Sequence, residues 1–82
     1  MRLDKYLKVS RLIKRRTIAN EACDTGRVSV NGKVARASYE VKPDDVVEIS
    51  FGARTIKLRV LSTKEVVKKE EADFMYQLID EA

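Results

Sequence analysis

The sequence predicts an α+β domain, and three observations carry that prediction. Apolar residues recur with helical spacing through residue 23, alternate with polar ones across residues 28–61, and return to helical spacing in the tail. The chain of 82 residues holds one domain with a modest core. No run approaches the roughly 18 apolar residues that a membrane span needs. The opening Met1-Arg2-Leu3-Asp4-Lys5 lacks the uninterrupted apolar stretch of a secretory signal. A cytoplasmic protein is the expectation.

Residues 2–13 read as an amphipathic helix. Leu3, Tyr6, Leu7, Ser10 and Ile13 fall on one arc, with Val9 at its edge. Lys5, Lys8 and Arg11 fall on the opposite arc as a basic stripe, and Asp4 stands one turn before Lys8. Leu12 leaves the apolar arc, so the helix should end near it. Lys14-Arg15-Arg16 is a connector, and Thr17 is a plausible N-cap for a second helix with Ile18, Ala19, Ala22 and Cys23 on its apolar face. Gly26 stands where a left-handed glycine would stop it.

Val28 and Val30 alternate with polar neighbours, as in a half-buried strand. Asn31-Gly32 is a strong hairpin signal, since a type I′ turn needs positive φ at both central residues. A second strand should start near Lys33. Residues 36–41 read as irregular, and Lys42-Pro43-Asp44-Asp45 reads as a turn. Val46–Phe51 and Thr55–Leu61 read as further strands separated by Gly52-Ala53. From about Val66 to Glu81 the tail reads as a helix, with Ala72, Met75, Tyr76 and Ile79 as its apolar stripe and Phe74 and Leu78 widening it. The expected organisation is a body over residues 1–62 and a helical extension over 63–82.

Charge is distributed unevenly. Residues 1–40 carry ten Lys/Arg against four Asp/Glu, whereas residues 41–82 carry seven against nine, within an overall +4. Residues 1–16 alone hold seven basic side chains with Asp4 as their one acid. Such a cluster on a small domain points to a polyanionic partner. One cysteine, Cys23, forms no internal disulfide and reads as a small buried hydrophobe. There is no histidine, which removes the commonest general base and zinc ligand. With no nucleophile–base pair, phosphate loop or metal cluster legible, no enzymatic activity, metal or cofactor is expected.

Read in order, Arg2-Leu3-Asp4-Lys5-x-Leu7, Arg16-x-x-Ala19 and Gly26-x-Val28-x-Val30-Asn31-Gly32 resemble the RNA-binding domain named after ribosomal small-subunit protein four, the S-four domain. The likeness runs on through Val41 and Asp45 and covers roughly residues 2–51. It implies a small S-four-like (alpha-L) fold with two N-terminal helices, a mostly antiparallel sheet and a C-terminal helix. One departure stands out: the family's usual glycine before the aspartate at the strand turn is Asp44 here. With the tail Lys68-Lys69-Glu70-Glu71-Ala72, the whole chain is similar to the small stand-alone members. These are the RqcP-type factors of bacterial ribosome-associated quality control and the small heat-shock S-four protein. That resemblance implies a monomer binding the large ribosomal subunit with its nascent chain, contacting large-subunit ribosomal RNA and tRNA. It also implies support for untemplated alanine tailing of the stalled peptide, beside a larger protein partner.

Lys and Arg supply sequence-independent phosphate affinity. Backbone contacts are assigned to Lys5, Lys8, Arg11, Lys14 and Arg15. Arg2 and Arg16, at family motif positions, rank highest, with Arg27 and Lys33 flanking from the hairpin. Asp4 is assigned as an orienter, and Asn31 and Gly32 as turn formers. Tyr6 lies on the apolar arc, and no aromatic stacking platform is legible. A general structured-RNA binder in ribosome assembly or translation, a DNA binder through the second helix, an RNA-modifying enzyme and a protein-docking module are the competing readings. The second helix carries Glu21 and Asp24 from Thr17 to Asp24 and no base, which suits a DNA major groove poorly.

Overall fold

The computed structural model describes residues 1–64 and 68–79. Two helices, α1 (Leu3–Val9) and α2 (Arg16–Asp24), precede β1 (Val28–Val30), β2 (Lys33–Val34), β3 (Val46–Phe51) and β4 (Arg54–Val60). A 3-10 helix, Lys69–Met75, leads into β5 (Tyr76–Leu78). The strands form one antiparallel sheet in the order β2-β1-β3-β4-β5.

Strand alternation decides what the sheet buries. Val28 pairs with Ile49, Val30 with Val47, and Val47 with Leu58, and all of these side chains are buried. Leu3, Tyr6 and Leu7 of α1 and Ala19 and Cys23 of α2 complete the same core. Each large aliphatic side chain so buried contributes roughly 1.5–3 kcal/mol. Asn31 and Gly32, at φ 52 and 84, turn β1 into β2 with Val30 opposite Lys33. The Asn31 side chain adds a staple, accepting from the Val46 N–H at 2.9 Å and donating to Asp45 Oδ1 at 3.1 Å.

The helices are bounded differently from the sequence expectation. α1 stops at Val9 because Arg11 adopts a left-handed φ of 64, and the Arg11 N–H turns back to the Lys8 carbonyl at 3.1 Å. Ile13 still reaches the core, its N–H donating to the Leu7 carbonyl at 3.0 Å. α2 starts one residue before Thr17, with extended Arg15 in the N-cap position and no side-chain cap. Its end follows the glycine signal: Gly26, at φ 83, donates to the Cys23 carbonyl and Arg27 to that of Ala22, the pairing of a Schellman motif. Ile18 stands 51% exposed rather than on the buried face.

The tail departs most. The expected helix to Glu81 is, within the described residues, a 3-10 helix followed by a strand; Val66, Asp80 and Glu81 lie outside them. Ala72 and Met75 are buried as expected. Their i, i+3 spacing serves a 3-10 turn as well as an α-helix. Beyond Met75 the chain extends because β4 offers a free edge: Tyr76 pairs with Val60 and Leu78 with Leu58, leaving Phe74 and Leu78 exposed. The Tyr6 hydroxyl donates to the Met75 carbonyl at 2.7 Å, tying α1 to this tail across the core.

Asp44, in the turn before β3, takes φ 77, the left-handed backbone that glycine adopts freely. Asp44→Gly should therefore raise the unfolding midpoint. Relief of about 1–2 kcal/mol of left-handed strain outweighs the roughly 0.5–1 kcal/mol that glycine's added unfolded-state freedom costs.

Burial pushes the Cys23 thiol up to about 12, the charges of Asp4 and Asp24 adding to it, and burial likewise raises the Tyr6 phenol. Both groups favour the folded state while protonated. The thiol's contribution is present below its ordinary value of 9.0 and the phenol's below 10.0, and each is lost as pH rises above that value. Denaturant midpoints should hold up to about pH 8.5 and fall progressively between about pH 9 and 12. The fall should be shallower in Cys23→Ala and in Tyr6→Phe.

Candidate nucleic-acid interface

The chain enters α1 through a short antiparallel pairing. The Leu3 N–H donates to the Tyr39 carbonyl and the Val41 N–H to the Met1 carbonyl, each at 2.8 Å, around a bridge between Arg2 and Glu40. This fixes Arg2 at the mouth of α1 and turns Asp4 inward, where it is 2% exposed. α2 packs across α1 and presents Arg16 and Asn20, one helical turn apart, to the same carboxylate.

Asp4 thus gathers donors from three directions. Oδ1 accepts from the Lys5 N–H at 2.8 Å, from Arg2 Nε at 3.2 Å and from Arg16 Nη2 at 3.5 Å. Oδ2 accepts from Asn20 Nδ2 at 3.2 Å and Arg2 Nη2 at 3.3 Å. Burial alone would push this carboxyl up. The hydrogen bonds from Asn20, Arg2, Arg16 and the Lys5 N–H outweigh it and hold the group below its ordinary value, so it is ionised at neutral pH. The two guanidinium side chains remain 49% and 48% exposed. Each therefore keeps donors free for solvent or a ligand, since a guanidinium carries five.

The other basic positions surround this pair unequally. Lys5 is half-buried on α1, and Lys8 is exposed in its last turn. Arg11, Lys14 and Arg15 are exposed along the connector that returns to Arg16. Arg27 follows the far end of α2, about 14 Å away along nine residues. It lines a separate groove with Ile18 and Phe51. Lys33 opens β2 at the sheet edge and lines another groove with Tyr39. The structure therefore brings Arg2 and Arg16 together on one anion and places Arg27 and Lys33 outside that cluster.

Asn20 was missed from sequence. Its signal was present: it lies four residues after Arg16, on a face that also carries Thr17. Asp4, Arg16, Thr17 and Asn20 together line one shallow depression. Tyr6 is fully buried, as its place on the apolar arc indicated.

Comparison with known proteins matches this architecture. The S4 domain family model matches residues 1–47. A protein of Streptococcus pneumoniae named RQC P-site tRNA stabilizing factor is 54% identical over 99% of this chain and 92% of its own. The Bacillus subtilis protein of the same name is 53% identical over 99% and 94%. Among solved structures, trimeric Vibrio cholerae Heat Shock Protein 15 superposes with a TM-score of 0.88 at 25% identity, covering 96% of this chain and 81% of that one. The motif order, the fold and the matched residues agree, and the chain belongs to the S4 domain family.

Proposed function

We propose that this protein is an RNA-binding factor of ribosome-associated quality control. It binds large-subunit ribosomal RNA and the peptidyl-tRNA of a stalled, split large subunit, and supports alanine tailing of the nascent chain beside a larger partner. The observation that carries the reading is the Arg2–Asp4–Arg16 cluster, set among exposed Lys8, Arg11, Lys14 and Arg15. It occurs in a chain 54% identical to an RQC P-site tRNA stabilizing factor.

The chemistry supports RNA over other partners. Two guanidinium groups locked by a buried carboxylate form a rigid pair that can bridge phosphate oxygens or stack on a base. Beside them the first turn of α2 leaves backbone N–H groups without helical acceptors, a setting that favours phosphate. Lysines and arginines along α1 and the connector add charge without demanding sequence. This suits A-form RNA, whose phosphates and minor groove are what a protein can reach. On this reading residues 1–62 form the RNA-binding unit of a monomer, and residues 63–82 extend it, β5 adding a strand to its sheet.

Two outcomes test the proposal. The purified protein should co-sediment with large subunits holding peptidyl-tRNA in clear preference to empty ones. Equal, steeply salt-sensitive binding to both would leave only a general RNA-binding domain. Arg16→Glu should abolish co-sedimentation while the circular dichroism spectrum stays native, and unchanged binding would remove Arg16 from the interface.

A further inference from the structure

We infer that the groove between the β1–β2 hairpin and the 35–39 loop is a subsite for one unpaired nucleotide, with the Tyr39 ring as its stacking surface and Lys33 at its rim. The inference rests on the RNA-binding reading and adds to it a place where a base is held rather than a backbone.

The groove is lined by Val30, Asn31, Lys33, Val34, Ala35 and Tyr39. Tyr39 is 37% exposed, and its hydroxyl donates to Asp45 Oδ2 at 3.4 Å. The same carboxylate accepts from Asn31 Nδ2 at 3.1 Å and the Lys42 N–H at 3.0 Å. The phenol's polar demand is thus met at one end, and the ring is held as an apolar surface in a fixed direction. A pre-oriented aromatic loses little freedom when a base stacks on it. Val34 supplies a second apolar surface that the fold does not bury.

The charges around the groove favour a nucleotide over an apolar peptide. Lys33 and Arg36 are exposed on the groove-forming segments. Asp45 has donors on both oxygens, and Glu40 is paired with the N-terminal ammonium at 3.3 Å. The Tyr39 backbone is tied to the segment that carries Arg2, because the Tyr39 carbonyl accepts the Leu3 N–H. An RNA strand on Arg2 and Arg16 can therefore place a neighbouring unstacked base on Tyr39, the manner in which proteins read RNA loops.

The test uses an RNA hairpin with 2-aminopurine at an unpaired loop position and a blunt duplex of the same stem. Wild type and Tyr39→Phe should quench the probe on binding. Tyr39→Leu should not quench it and should bind the hairpin about tenfold or more weakly, given the usual strength of base–aromatic stacking. Its affinity for the blunt duplex should be unchanged. Tyr39→Leu binding and quenching like wild type would overturn the subsite while leaving the RNA-binding reading intact. Wild type binding neither RNA would overturn both.

Discussion

The buried carboxylate of Asp4 is the interaction on which the arrangement depends. An ionised group at 2% exposure is costly unless donors surround it. Here the donors come from its own helix, from the residue that opens that helix, and from two successive turns of α2. Satisfying Asp4 therefore fixes how α1 and α2 meet. The same geometry stations two arginines side by side at the surface, where their mutual repulsion would otherwise spread them. Packing and the proposed function share one set of hydrogen bonds.

Around that centre the molecule separates its tasks. The sheet and the inner helix faces bury Val28, Val47, Ile49, Leu58 and Val60 with Leu3, Tyr6 and Leu7. The tail returns under α1 and is held by the Tyr6 hydroxyl on the Met75 carbonyl. The basic side chains from Lys8 to Arg16 then run over the outside, while Ser10 and Ile13 of the same stretch are buried and Val9 and Leu12 pack against the core. Arg11 in a left-handed conformation ends α1 early and reverses the chain there. Strain of this kind persists where the surroundings over-determine it.

Much of this was legible in the residues. The helix pair, the Asn31-Gly32 hairpin and β3 follow from local rules with few competitors, and Gly26 marked the end of α2. The Asp4 cluster was legible in part: its motif pointed to Arg2 and Arg16, but only the crossing of α1 and α2 reveals that Asn20 completes it. Two kinds of feature stayed hidden. The left-handed Arg11 was invisible because nothing in the local pattern sets φ at a non-glycine residue. The tail was misread because Ala72, Met75, Tyr76 and Ile79 satisfy helical spacing, while the free edge of β4 that recruits Tyr76–Leu78 is a tertiary fact. Ile18 likewise fitted the helical arc, yet helix crossing left it outside.

The most direct measurement is the affinity of Asp4→Asn for large subunits carrying peptidyl-tRNA, beside wild type at the same salt and with native circular dichroism confirmed. Coulomb attraction alone says that removing an acid from a polyanion-binding face tightens binding. If Asp4 acts by holding Arg2 and Arg16, binding weakens instead, by about tenfold for the loss of roughly 1.4 kcal/mol of oriented contact. Unchanged or tighter binding by a folded Asp4→Asn protein would contradict the account.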